Sequence, residues 1–310
     1  MALTLLFIVT PALADDSKEL RKQQQAAQKE RQAQKNDRNK GINGARKELR
    51  ATIRDMKLGY QEQLKDLDTE FELRRVELRA DHDARVATAE AENQQKISSL
   101  FMKSGFAFDD ESVEQLQAEG RAYSEALFAL KKQSAEELHQ EQVANTERKH
   151  ALLQERDQGI LDKASALGLT ADYPPILATP IGDTLTSQEE KWNEKERREV
   201  QKLKERNAKT LSEFRNGETV RKWEIAVLQE DFKLTWDEKS ELHALDSQQT
   251  LLNTLLMQPS AGGEADPQAF MTKITEINKE KTLINIKYKK IRDQNRIKRR
   301  KEKKAILAGS

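Results

Sequence analysis

Between residues 49 and 100, apolar side chains return every eleven residues. Ile53, Leu64, Arg75, Val86 and Ile97 form one series, and Met56, Leu67, Leu78, Ala89 and Leu100 form a second. Leu49, Tyr60, Phe71, His82 and Asn93 form a third, which turns polar at its end. Eleven residues over three helical turns is about 3.67 per turn, close to the free helix value. Such a stripe drifts little around the helix, and any supercoil it imposes is slightly right-handed. The first two series hold throughout with one exception, Arg75. The backbone is thereby constrained to a long helix that buries one narrow seam lengthwise.

Composition points the same way. Hydrophobic residues make up 36% of the 310-residue chain, charged residues 35% and aromatic residues 5%. That is too polar for a thick core, since an ordinary domain is nearer half apolar and a quarter charged. Disorder is the other outcome of such a composition, but a disordered chain has no reason to keep an eleven-residue period. Gly59 inside the segment weakens the helix by about 1 kcal/mol relative to Ala.

The remaining punctuation divides the chain. Residues 15–44 are a polar lead-in, helical or disordered, with Gly41 and Gly44 marking a break. Residues 101–111 interrupt the pattern, with Gly105 at the break and Asp109, Asp110 or Ser112 available to cap the next helix. That helix runs from about Val113 to Leu167, where Leu116, Leu127, Leu138 and Ile160 keep the spacing and Gly168 supplies a C-cap. Two helices of similar length across a short connection predict an antiparallel hairpin over 45–167, with its tip at 101–111. Residues 168–186 hold three prolines and no Lys or Arg, and read as an extended linker, with Tyr173, Ile176, Leu177 and Ile181 placed to lie against a helix.

Thr186 with Glu189, or Ser187 with Glu190, offers a capping box for a long helix over 187–257. Trp192, Leu203, Phe214, Ile225 and Trp236 restore the eleven-residue register, and the helix is interrupted or weakened at Gly217. A turn follows at 258–266. Asp266 and Pro267 then read as N-cap and first helical residue of a basic helix over 267–310. In that helix Phe270, Ile274, Ile277, Ile284, Tyr288 and Ile291 shift to a heptad pattern. The predicted fold class is all-α: a long antiparallel helical hairpin plus further long helices, coiled-coil-like with eleven-residue repeats.

Residues 1–14, MALTLLFIVTPALA, have the plan of a secretory signal peptide. A short apolar run ends at Pro11, and Ala12-Leu13-Ala14 places small residues at the two positions a signal peptidase reads. The run lacks a preceding Lys or Arg, and it is too short to span a bilayer, which takes about 20 residues. The expectation is an exported protein, periplasmic or extracellular, with no transmembrane segment.

Chemistry-bearing patterns are sparse. The chain has no cysteine, which removes disulfides and thiolate ligands. Glu136-x-x-His139 and Glu147-x-x-His150 match the spacing of di-iron bundles. Both lie on one helix, roughly 16 Å apart at about 1.5 Å per residue, too far to share a metal pair. Phosphate loops, zinc motifs and nucleophile elbows are missing from the sequence. The sequence therefore predicts no cofactor, no metal and no enzyme activity.

Two places are candidates for contact. One is the hairpin tip with Phe106 and Phe108 beside Asp109 and Asp110. The other is the C-terminus, where Lys279 to Lys304 carries thirteen Lys or Arg against three Asp or Glu, densest at Lys298, Arg299, Arg300 and Lys301. The run reads as an anion-binding end, for lipid headgroups, an acidic protein or nucleic acid, or else as a solvated helix end or a clamp on acidic helices of the same chain. Few aromatics interleave the cations, which disfavours nucleic acid. The leading function is a non-enzymatic envelope protein acting as coiled-coil scaffold, spacer or assembly factor. Its partners would be a protein, or a second copy meeting it through the helical stripes. The plan is similar in architecture alone to the periplasmic Skp-type chaperones, which implies the alternative of a holdase. A third reading is anion or nucleic-acid binding through the basic helix.

Overall fold

The computed structural model describes residues 12–103, 110–181, 185–257 and 267–308. The fold is all-α. Helix α1 runs Ala12–Lys103, α2 Asp110–Ala166, α3 Ser187–Arg215, α4 Gly217–Met257 and α5 Pro267–Ala308. Among the described residues there is no strand, and no helix is long and apolar enough to cross a membrane. The apolar run up to Pro11, the hairpin tip with Gly105, Phe106 and Phe108, and the 258–266 turn lie outside the described residues.

All members of the three eleven-residue series, including Arg75, His82 and Asn93, are shielded wholly or partly from solvent. Outside the series, only Thr52 and Arg85 share that shielding between residues 49 and 100. Helix α1 begins at Ala12, takes in the whole polar lead-in and passes through Gly41 and Gly44, where the sequence suggested a break. A helical glycine costs only about 1 kcal/mol, and buried Ile42, between the two glycines, with Leu49 beyond them holds this stretch in the core.

Two compact units emerge, each taking part of α1 and part of α2. The first comprises the chain up to Gly59 with Glu155–Arg215. In it α2 runs antiparallel to α1, with Lys163 Nζ 2.6 Å from Glu48 Oε1 and Gly159 against Met56. Helix α3 runs parallel to α1, since Arg31, Arg38, Arg46 and Lys57 meet Glu189, Glu196, Asn207 and Glu213 in the same order. Ile42, Leu49, Ile160, Ala164, Leu169, Leu211 and Phe214 form the core.

Helix α2 ends in a Schellman motif. Leu169 N–H donates to Ala164 O and Gly168 N–H to Ser165 O, both at 2.9 Å, with Gly168 at φ +68°. The linker beyond is tied to α3. Trp192 Nε1 donates to Ile176 O at 3.2 Å, and the Asn193 amide both accepts from and donates to the Ala178 backbone. At the start of α3, Thr186 N–H donates to Glu189 Oε2 at 3.0 Å and Glu189 N–H to Thr186 Oγ1 at 3.3 Å, the reciprocal capping box.

The helix expected over 187–257, interrupted or weakened at Gly217, is divided into two helices at Asn216. Asn216 is a turn residue whose carbonyl accepts the first bond of α4 from Val220 N–H at 3.1 Å, as an N-cap residue does. Asn followed by Gly is a weak helical pair, and asparagine at this end caps rather than continues.

The second unit comprises Tyr60–Gln154 and Asn216–Ser310. Here α1 and α2 are again antiparallel, joined by Asp68 with Lys149, Arg85 with Glu137 at 2.6 Å and Lys96 with Glu119 at 3.5 Å. Helix α4 runs antiparallel to α2, and α5 antiparallel to α4. The helices after residue 187 thus fold onto the hairpin helices within each unit.

Two glycines of the first unit should respond with opposite sign. Gly44 is exposed mid-helix with open space around its Cα, so Gly44→Ala should stabilise by about 0.5–1 kcal/mol. Gly168→Ala places a side chain in the left-handed region and should destabilise by about 1–2 kcal/mol. Urea unfolding of the two variants checks the signs. Leu211→Ala, at a fully buried side chain, should cost about 2–5 kcal/mol by the same measurement.

Candidate interaction surface on helix α5

Helix α5 begins at Pro267, whose fixed φ and missing N–H suit the first helical position. Its inner face carries buried Ile277 and Tyr288. Around that seam, the cations of α5 meet the acids of α4 in antiparallel order. Lys281 lies 2.5 Å from Asp246, Lys287 2.8 Å from Glu241, and Arg292 pairs with Glu238. Arg299 reaches both Glu230 and Asp231, at 2.8 and 2.7 Å, and Lys303 lies 2.9 Å from Glu224.

The Tyr288 hydroxyl donates to Glu241 Oε1 at 2.8 Å. Burial first, and the Glu241 carboxylate second, push its pKa up to about 12. Hydrogen bonds from Lys287 and Tyr288 hold the Glu241 carboxyl below its ordinary value. Exposed pairs of this kind contribute about 0–1 kcal/mol each. Their main effect is to fix register and direction, as flanking charges do in coiled coils.

A second set of α5 cations faces away from α4. Lys279, Lys289, Lys290, Arg300, Lys301 and Lys304 are exposed, and none makes an ion pair among the described residues. Between them stand Leu283, Ile286 and Ile297, which are 64%, 57% and 56% exposed. Lys279, Ile286, Lys290, Ile297, Lys301 and Lys304 follow at intervals of seven, four, seven, four and three, which places them on one helical stripe.

The four residues singled out in the basic run therefore divide. Arg299 is engaged with α4. Lys298 is exposed and lies 3.6 Å from Glu302 one turn on. Arg300 and Lys301 belong to the outer face. Phe106 and Phe108 lie outside the described residues.

Two further clusters arise in the units. In the first, Glu196 is 1% exposed and pairs with Arg38 and Lys35. Burial pushes its pKa up, but the hydrogen bond and charge of Arg38, the Ile176 N–H and Lys35 outweigh burial and hold it below the ordinary value. Nearby, Arg46 donates twice to Asn207 Oδ1, at 2.9 and 2.7 Å, and Asn207 Nδ2 donates to Leu169 O at 2.9 Å. These groups fasten α1, α3 and the linker. The signal in the sequence was the three–four spacing of Glu189, Asn193, Glu196, Val200, Leu203, Asn207, Leu211 and Phe214, which a search for apolar residues alone passes over.

In the second unit an aromatic seam joins α2 and α4. His139 stacks on Phe232 with ring centroids 4.1 Å apart, and Phe128 stacks on His243 at 3.9 Å. His150 Nε2 lies 3.3 Å from Glu224 Oε2. The two histidines of the Glu-x-x-His spacings thus have different partners. Burial lowers the pKa of His139. Burial also lowers that of His150, assisted by Arg221 and opposed by Glu224 and Glu147.

Comparison with protein-family models, with curated proteins and with solved structures finds no match. The surface chemistry of the chain is therefore the ground for any functional reading.

The histidine seam sets a pH dependence. The unfolded chain takes up these protons near the ordinary value of 6.5, whereas the folded protein resists until lower pH. Stability should therefore decline as pH falls below about 6.5 and level off beneath the lowered folded values. The urea midpoint should drop between about pH 7.5 and about pH 5.5, and drop less in a His139→Phe/His150→Gln variant. In the first unit, Glu196→Ala leaves Arg38 without its buried counter-charge and should cost about 3–5 kcal/mol in urea unfolding.

Proposed function

We propose that the protein is a non-enzymatic scaffold, spacer or assembly factor of the bacterial envelope, exported by its N-terminal apolar segment. The observation that carries this reading is how register is fixed between helices. Helix α3 is keyed to α1 by Glu196, Arg38, Asn207 and Arg46, and α5 is keyed to α4 by successive ion pairs. Polar groups that must meet specific partners resist sliding far more than an apolar seam does. A protein that transmits distance or presents an end needs that resistance.

A holdase is the second reading. It is favoured by large aliphatic side chains exposed along α1, with Leu73, Val76 and Met102 each more than half exposed. Such side chains could contact an unfolded client.

Hydrogen–deuterium exchange separates the two. A scaffold should show slow, cooperative exchange throughout α3 and the α1 segment it packs on, and should leave the aggregation of a thermally denatured client enzyme unchanged at equimolar ratio. Rapid exchange through α3 would remove the scaffold reading. Strong suppression of client aggregation would replace it with the holdase. Export is tested by fusing residues 1–20 to a phosphatase active only outside the cytoplasm, with cleavage expected after Ala14.

A further inference from the structure

We infer that the outer face of α5 is an attachment surface for an anionic lipid bilayer, lying along the membrane interface without entering its core. This rests on the scaffold reading and names what one of its ends attaches to. Three observations converge.

The first is charge that the fold does not use. Five cations of α5 are matched by α4 acids in order, whereas Lys279, Lys289, Lys290, Arg300, Lys301 and Lys304 have no ion pair among the described residues. The exposed acids within that run are Glu280, beside Lys279, and Asp293, which lies 3.2 Å from Arg296. An internal clamp accounts for the inner cations and leaves the outer ones unexplained. A strip of cations lowers its energy against an anionic surface, most strongly within a Debye length of about 10 Å.

The second is apolar material among those cations. Leu283, Ile286 and Ile297 are more than half exposed on the same face. A helix that only needed to bind a soluble polyanion has no use for them. Against a bilayer they can enter the headgroup boundary, while the long lysine stems carry their charges up to the phosphates.

The third is the C-terminal end of the face. There Trp223 from α4 and Leu307 form, with Arg300, Lys303 and Lys304, a shallow recess of about 530 Å³. The indole N–H donates to Glu302 at 3.1 Å. Tryptophan of this amphipathic kind is favoured at the level of lipid headgroups. Apolar wall and basic rim together fit a lipid phosphate with the start of its acyl chain. A single-stranded nucleic acid would call for aromatic faces open to stacking along the strip, and α5 has none outside its seam, where Tyr288 is buried; a duplex would use the cations alone and leave Leu283, Ile286 and Ile297 without a role.

Flotation of the full chain with vesicles tests the assignment. Binding is expected to vesicles with about 30% phosphatidylglycerol in phosphatidylcholine and not to phosphatidylcholine alone, weakening as salt rises from about 50 to about 300 mM. The variant Lys290→Gln/Arg300→Gln/Lys301→Gln/Lys304→Gln should lose at least about tenfold in partitioning. Ile286→Ser/Ile297→Ser, which alters side chains already exposed, should also lose about tenfold, with an unchanged circular dichroism spectrum. Lys281→Gln, on the inner face against Asp246, should change partitioning less than twofold. The same set is measured against a soluble duplex DNA.

Equal binding to neutral and anionic vesicles would overturn the inference. So would full retention of vesicle binding by the isoleucine variant, or tighter binding to DNA that depends on the lysines and ignores the isoleucines. The exchange experiment on α3 is independent of all these outcomes, so attachment can fail while the scaffold reading stands.

Discussion

Everything in this protein depends on a shortage of apolar surface. With hydrophobic and charged residues almost equal in number, the chain can afford a seam but not a thick core. A seam is economical only when elements run side by side for many turns, and an eleven-residue return keeps the apolar stripe on one side of a straight helix for that length. In the first unit the core is correspondingly thin. Ile42 and Leu49 come from α1, Ile160 and Ala164 from α2, Leu211 and Phe214 from α3, with Leu169 closing the end of α2.

A thin apolar seam supplies contact without uniqueness, because one turn of slippage exchanges one aliphatic residue for another. Buried polar groups supply the missing specificity. Glu196 inside the first unit must find Arg38 and Lys35, and Asn207 must find Arg46 and the carbonyl of Leu169. A shift along α3 would strand a carboxylate out of water, at a cost of several kcal/mol. In the second unit the ordered pairs between α4 and α5 serve the same end more weakly, since they are largely exposed and individually modest.

Much of this was legible in the sequence where the signal is local. The eleven-residue rows named most of the shielded positions of α1 between residues 49 and 100, down to Arg75, His82 and Asn93. Gly168 ended α2 because only glycine takes the left-handed conformation cheaply, and Thr186 with Glu189 opened α3 because three-residue spacing lets each side chain reach the other's backbone. What was not legible required a partner helix. Gly41 and Gly44 resemble a break until Ile42 and Leu49 are seen in the core. Glu196 resembles a solvated glutamate among many until α1 brings Arg38 beside it. Of the residues in the basic run, Arg299 and Arg300 are neighbours of identical chemistry, and only the position of α4 makes one internal and the other external.

That division has a further consequence for α5. Cations three and four residues apart share a helix face and repel, each contact costing about 0.2–0.5 kcal/mol; Arg296 with Arg300, Lys301 with Lys304 and Arg300 with Lys304 are such pairs. The acids of α4 relieve the inner cations and do nothing directly for the outer ones. Leu283, Ile286 and Ile297 add unsheltered apolar surface to the same face. A helix that served only to close the α4 seam would be more stable with glutamate or alanine at several of these positions. The chain thus carries on α5 an unfavourable concentration of like charge and exposed aliphatic surface together, and the surroundings that relieve both at once are an anionic interface with an apolar layer just beneath it.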